Sequence, residues 1–165
     1  MLYINHIFFA IVLFVFSLLY FEFSFWNFEN IAYIVVVLFF ALFPDFDSYS
    51  AKFGRNLRFF KWFFSHRGIL HSFFGMGLVL FVVYLFAVVA GLPNSNKILV
   101  FGFVGYLSHL IADSLTKKGC ALFLPFFKFR LSGFIKTGGF LEYFVVSALI
   151  VLTVLWLFAC FFGKI

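Results

Sequence analysis

The feature that most limits what this chain can fold into is a series of long apolar runs. Runs over residues 4–21, 28–43, 72–91, 98–112 and 140–162 approach the length of about 20 residues at which a helix crosses a bilayer. Composition agrees, with 65% hydrophobic and 11% charged residues and a mean hydropathy of +1.16, against about 25% charged residues in a soluble domain. The expected fold class is an all-α integral membrane protein, a bundle of about five transmembrane helices in a single domain over residues 1–165. The second and fourth runs are short, which suits tilting, partial re-entry or polar termini below the headgroups. The first run has no basic segment ahead of it, and Tyr20 to Trp26 offers no small-x-small cleavage site, so it is expected to be a mature helix rather than a signal peptide.

Lysine and arginine set the expected orientation. Lys52, Arg55, Arg58, Lys61 and Arg67 lie between the second and third runs, and Lys117, Lys118, Lys128, Arg130 and Lys136 between the fourth and fifth. Both loops fall on one side, and the positive-inside rule makes that side cytoplasmic. The amino terminus is then inside and the carboxy terminus outside a cell (inner) membrane. Cys120 and Cys160 fall on opposite faces, too far apart for a bridge within one chain, and are expected as unpaired thiols.

On this topology the ionisable residues converge. His6 begins the first span, and Asp45 and Asp47 end the second just after Pro44. His66 and His71 introduce the third, and His109 and Asp113 end the fourth. All four histidines and all three aspartates therefore meet one membrane face from four helices. Imidazole with carboxylate suits zinc, manganese or iron, and hard carboxylates also admit magnesium. His109 and Asp113, four apart, share a helix face. His66 and His71 are five apart, and Gly68 supplies the break that lets both turn inward. Asp45 and Asp47 can ligate one metal or bridge two. Seven ligands exceed a tetrahedral set, which favours two ions, or one ion with carboxylates supporting it from behind.

Plainer readings exist for each residue taken singly. A polar residue at a span end is often an anchor or a cap, and Arg67 also reads as a topology-setting charge. Glu142, in the first turn of the fifth span, is accounted for by the helix dipole and is left outside the ligand set. Convergence of all seven is what points to a functional site. A metal or proton transporter is the first rival, opposed by an outer half with nothing ionisable. A metal-stabilised scaffold is the second, opposed by the excess of ligands. Nucleic acid is not expected as a partner, since the net charge of +6 is explained by the two basic loops.

The stretches "NHIFF", "LFPDFDS", "SHRGILHS" and "GYLSHLIADSLTKKG" followed by "LFLP" resemble the signature of the YdjM-type family of LexA-regulated, inner-membrane-associated metal-dependent hydrolases. The resemblance runs from His6 to about Pro125. It implies hydrolysis at a metal site and nominates His6, Asp45, Asp47, His66, His71, His109 and Asp113. The His-x3-Asp element and the Pro-Asp turn are similar, more distantly, to zinc-dependent phospholipase C, which implies phosphoric esters.

The basic loops bear on the substrate. Lys52, Arg55, Arg58 and Lys61 recur every third residue among aromatics, as in an interfacial amphipathic helix, and Phe126 to Arg130 read as a second such surface. Both would attract anionic membrane lipids, unless these charges only fix topology. A phosphoester is then the expected substrate, either a lipid or a small molecule. One or two divalent ions would activate water for attack, with Asp45 or Asp113 as general base and Arg67 stabilising charge on the phosphoryl oxygens. Ser72, Ser108 and Thr116 are candidate hydrogen-bond donors behind the ligands. The last run, 140–162, matches no motif and reads as structural.

Overall fold

Each of the five apolar runs forms an α-helix in the computed structural model, which describes residues 1–21, 28–45 and 68–162. They are α1 (Tyr3–Tyr20), α2 (Phe28–Leu42), α3 (Phe73–Val89), α4 (Ser95–Ser114) and α5 (Phe140–Phe162). α1, α4, α5 and the segment Phe28–Asp45 are long and apolar enough to cross a membrane. α3, with 17 residues, is the shorter apolar helix. At about 1.5 Å per residue it reaches about 25 Å, less than the roughly 30 Å hydrocarbon core. The chain is thus an all-helical membrane protein.

The helix ends depart from the hydropathy reading for physical reasons. Pro44 has no N–H to continue the α-helical ladder, and α2 passes into a 3-10 turn over Phe43–Asp45, which extends the second span. α4 is a full 20 residues because Ser95 to Lys97 and Asp113 to Ser114, too polar to count as apolar, continue the helix at its two ends. The fourth span is therefore not short. At the start of α3 the Ser72 hydroxyl accepts from the Gly75 N–H at 3.1 Å, a side-chain cap that fixes where the helix begins.

α4 is the centre of the bundle and packs against α1, α2 and α3, while α1 also meets α2 and α5. One core cluster joins α1, α2 and α4 through Ala10, Phe14, Leu18, Tyr33, Val37, Ala41 and Phe101. A second joins α2, α3 and α4 to the following loop through Phe40, Leu80, Tyr106, Leu110, Cys120 and Leu122. Gly105 permits the closest approach, since a Cβ there would lie 2.2 Å from the carbonyl oxygen of Val37. Small residues that let backbones meet are how helices associate in lipid. Outward faces carry Phe81, Phe86, Phe144, Leu155 and Phe158, all exposed, as a lipid-facing surface requires.

Between α4 and α5, residues 115–139 fold back on themselves without a helix. Cys120 and Leu131 exchange backbone hydrogen bonds at 2.8 Å, and Lys117 N–H donates to Ile135 at 2.8 Å. Phe126 to Arg130, expected as a second aromatic and basic surface, lie on this non-helical segment, where Pro125 and Gly133 disfavour a helix. The aromatic and basic side chains are nonetheless exposed together. The other expected amphipathic stretch, Lys52 to Trp62, lies outside the described residues.

Candidate metal centre

Three histidines and two aspartates meet at one end of the bundle. His6 comes from the first turns of α1, Asp45 from the 3-10 turn after α2, His71 from a 3-10 turn before α3, and His109 and Asp113 from the last turns of α4. His71 Nε2 lies 3.4 Å from Asp45 Oδ1 and 3.9 Å from Asp113 Oδ2. His109 Nε2 lies 3.8 Å from Asp45 Oδ1 and 4.0 Å from Asp113 Oδ2. His6 Nε2 lies 3.5 Å from Asp113 Oδ1. The rings of His6 and His109 stack with centroids 4.2 Å apart.

Each ligand is held by an identifiable contact. The last carbonyls of α2 have no partner within their own helix, and His109 Nδ1 donates to one of them, the oxygen of Ala41, at 2.7 Å. That bond fixes the tautomer, leaving the Nε2 lone pair directed at the two carboxylates. It repeats the Gly105 contact one turn on, since Gly105 meets Val37 and His109 meets Ala41, each four residues later. His71 is placed from three sides. The Tyr106 hydroxyl donates to the carbonyl of Leu70 at 2.6 Å, Cys120 Sγ–H to that of His71 at 2.7 Å, and Phe73 N–H to that of Leu122 at 2.9 Å. The Thr116 hydroxyl closes the end of α4 on the carbonyl of Asp113.

The electrostatics of this cluster differ from those of a finished hydrogen-bond network. His6, His71, His109 and Asp113 are almost wholly buried, while Asp45 is 28% exposed along its side chain. Yet among the described residues Nδ1 and Nε2 of His6, both ring nitrogens of His71, and Nε2 of His109 make no hydrogen bond, the facing carboxylate oxygens standing 3.4 Å or more away. Buried polar atoms are nearly always satisfied, and leaving one unmade costs about 1–3 kcal/mol. Two donors each about 2.1 Å from one ion stand roughly 3.4 Å apart at the tetrahedral angle, close to the shorter separations here. Among the described residues two sets of three bring their donor atoms close enough to share an ion, namely His6, His109 and Asp113, and Asp45, His71 and His109. His109 has one free nitrogen to share between them, whereas Asp113 turns one oxygen to His6 and the other to His71 and His109. The amino terminus adds a charge, with the Met1 ammonium 2.7 Å from Asp113 Oδ1.

Five of the seven nominated residues are therefore brought together. Asp47, His66 and Arg67 lie outside the described residues. Of the supporting hydroxyls, Ser72 caps α3, Ser108 donates to its own helix at Gly105, and Thr116 alone supports a ligand-bearing residue. Cys120, which nothing in the sequence connects to a histidine, holds the backbone of His71. Glu142 stays outside the ligand group, but its carboxylate is buried against the start of α1 rather than merely favoured by a dipole.

Comparison with known proteins places this geometry in context. The family model described as YdjM inner membrane protein matches residues 1–164. An uncharacterized protein, YvsG, of Bacillus subtilis is 30% identical over 129 residues, 75% of this chain and 77% of that protein. The inner membrane protein YdjM of Escherichia coli is 35% identical over 122 residues, covering 68% of this chain and 60% of the relative, and that of Shigella flexneri matches to the same extent. The chain thus spans about 60% of the length of these last two relatives. No solved structure matches.

Proposed function

This chain belongs to the YdjM inner membrane protein family, and from that premise we propose that it is a membrane-embedded, metal-dependent hydrolase acting on a phosphoester, of a phospholipid or a smaller molecule. The observation that carries the reading is the set of five buried imidazole nitrogens that make no hydrogen bond among the described residues, beside two carboxylates. Zinc is the first choice of ion for imidazole and carboxylate donors, with manganese, iron and magnesium as alternatives. Such an ion, when bound, supplies Lewis acidity for a phosphoryl oxygen and lowers the pKa of water toward about 7.

The chain's own residues then divide the work. His71, His109 and Asp45 form one set that could hold an ion, and His6, His109 and Asp113 form the other. Asp113, with one oxygen toward His6 and the other toward His71, would serve as a further ligand. Asp45, the one candidate ligand among the described residues that is partly open to its surroundings, is the better placed of the two carboxylates to accept a proton and release it. Arg67, four positions before His71 in the sequence, is the side chain assigned to phosphoryl charge. The site faces the cytoplasm on the positive-inside rule, because Lys117, Lys118, Lys128, Arg130 and Lys136 lie at this end. Exposed Phe126, Phe127 and Phe129 among those cations suit an anionic lipid surface.

An ion path is less well supported. At the other end Glu29 and Lys97 do add ionisable groups, but they pair with each other 3.4 Å apart at the helix starts. Between the two ends the core is Phe14, Leu18, Val37 and Phe101 with the ring of Tyr33. The test is turnover. Detergent-purified protein loaded with zinc or manganese should release phosphate or a phosphorylated headgroup from phosphatidic acid, phosphatidylglycerol or a small phosphomonoester, and Asp45→Asn should abolish it. Metal-loaded protein inert toward all three classes contradicts the hydrolase reading.

A further inference from the structure

Glu142 carries the least expected arrangement in the molecule. It sits in the first turn of α5, which is otherwise mostly exposed and packs on α1. The glutamate itself is fully buried. One carboxylate oxygen accepts from the backbone N–H of Leu2 at 2.6 Å and from the Asn5 side-chain amide at 2.7 Å. The other accepts from Gly138 N–H at 2.8 Å, a residue whose φ of 74° is the left-handed conformation glycine adopts readily. Three donors on one carboxylate satisfy a buried charge that would otherwise be costly.

What this clasp holds is the start of the helix that bears His6. Leu2, whose N–H Glu142 accepts, returns its carbonyl to the N–H groups of Asn5 and His6 at 3.0 and 3.2 Å. Two hydrogen bonds therefore run in series from the Glu142 carboxylate to the backbone of His6, and Asn5 supplies a parallel link one residue away. Among the described residues His6 makes no hydrogen bond through either ring nitrogen, Asp113 Oδ1 lying 3.5 Å from Nε2, so its placement over His109 rests largely on its backbone and on ring stacking.

Resting on the metal-centre reading above, we propose that Glu142 is a positioning residue for that centre, fixing His6 in register with Asp113 and so making α5 part of the site's support. Glu142→Gln keeps the size but places a donor where at least one N–H now points. Groups that orient metal ligands from behind typically change affinity by about 10–100-fold. The full chain in detergent, titrated with cobalt(II) and zinc, should show about tenfold weaker binding in Glu142→Gln and an altered cobalt ligand-field absorption. In metal-free protein the amides of residues 2–6 should exchange with solvent faster. Thr153→Val, which removes a bond from Thr153 to Leu149 within the same helix, should leave binding and spectrum unchanged.

Unaltered cobalt affinity and spectrum in Glu142→Gln, with wild type binding metal, overturns the positioning role and leaves the metal centre standing. A wild type that binds no cobalt or zinc overturns the metal centre and this role with it. Should Glu142→Gln fail to fold, Asn5→Ala, which retains the charge and removes one donor, reads the same spectrum. It is expected to shift in the same direction and by less, and an unchanged spectrum there refutes the proposal.

Discussion

The two ends of the bundle solve the same problem in opposite ways. At one end Glu29, in the first turn of α2, accepts from Asn94, Tyr33 and Lys97 and so ties α2 to α4. Its charge is matched and it is partly exposed, at 42% along the side chain. At the other end the same two helices meet again through His109 and Ala41, but there the histidines are buried, and five imidazole nitrogens make no hydrogen bond among the described residues. Tying helices together needs only the first kind of cluster. The second kind is costly unless something else binds it, and the assembled donors suit a divalent cation.

Several experiments sharpen or break this contrast. The largest effect is expected from metal removal. An ion present at a hundred times its Kd adds about 2.7 kcal/mol of stability, so a chelator should lower the melting temperature of wild type. His71→Ala, lacking a ligand, should show no such response. A chelator shift of equal size in both would place the metal elsewhere.

Gly105→Ala tests the packing behind the site. Its Cβ would sit 2.2 Å from the Val37 oxygen, so α2 and α4 must separate, at a cost of about 1–3 kcal/mol. Because His109 reaches Ala41 one turn further on, zinc affinity should fall with stability. Loss of stability with undiminished affinity in the folded fraction would uncouple the two.

Cys120→Ala should cost about 1 kcal/mol, the usual worth of one hydrogen bond, while leaving the number of bound ions unchanged. The thiol holds the backbone of His71 and belongs to neither ligand set. A lost metal equivalent would make it a ligand. The smallest effect belongs to the opposite end, where Glu29→Gln should change stability by less than about 1 kcal/mol and metal content not at all. Calorimetry and metal analysis on the same preparation read both.

Much of this was legible in the sequence because membrane topology is strongly constrained. Runs of apolar residues fix the helices, their alternation fixes which ends are neighbours, and His6, Asp45, His71, His109 and Asp113 all fall at one kind of end. The supporting contacts were not legible. That Ala41 offers a carbonyl, that Cys120 lies under His71 and that Glu142 holds Leu2 each depend on side-to-side packing between helices, which no periodicity encodes. Near Lys128 the sequence indicated an aromatic and basic surface, but not the backbone that carries it, which folds back through pairings such as Cys120 with Leu131. The pairing of Glu29 with Lys97 was not legible either, because only the approach of α2 and α4 joins them.

The central claim is tested most directly by counting metal ions in detergent-purified wild type, Asp45→Asn, His71→Ala and Glu29→Gln by mass spectrometry. This account expects one to two equivalents of a transition metal in wild type and in Glu29→Gln, and their loss in the other two variants. Metal-free wild type, even after reconstitution with zinc, manganese and magnesium, would contradict it.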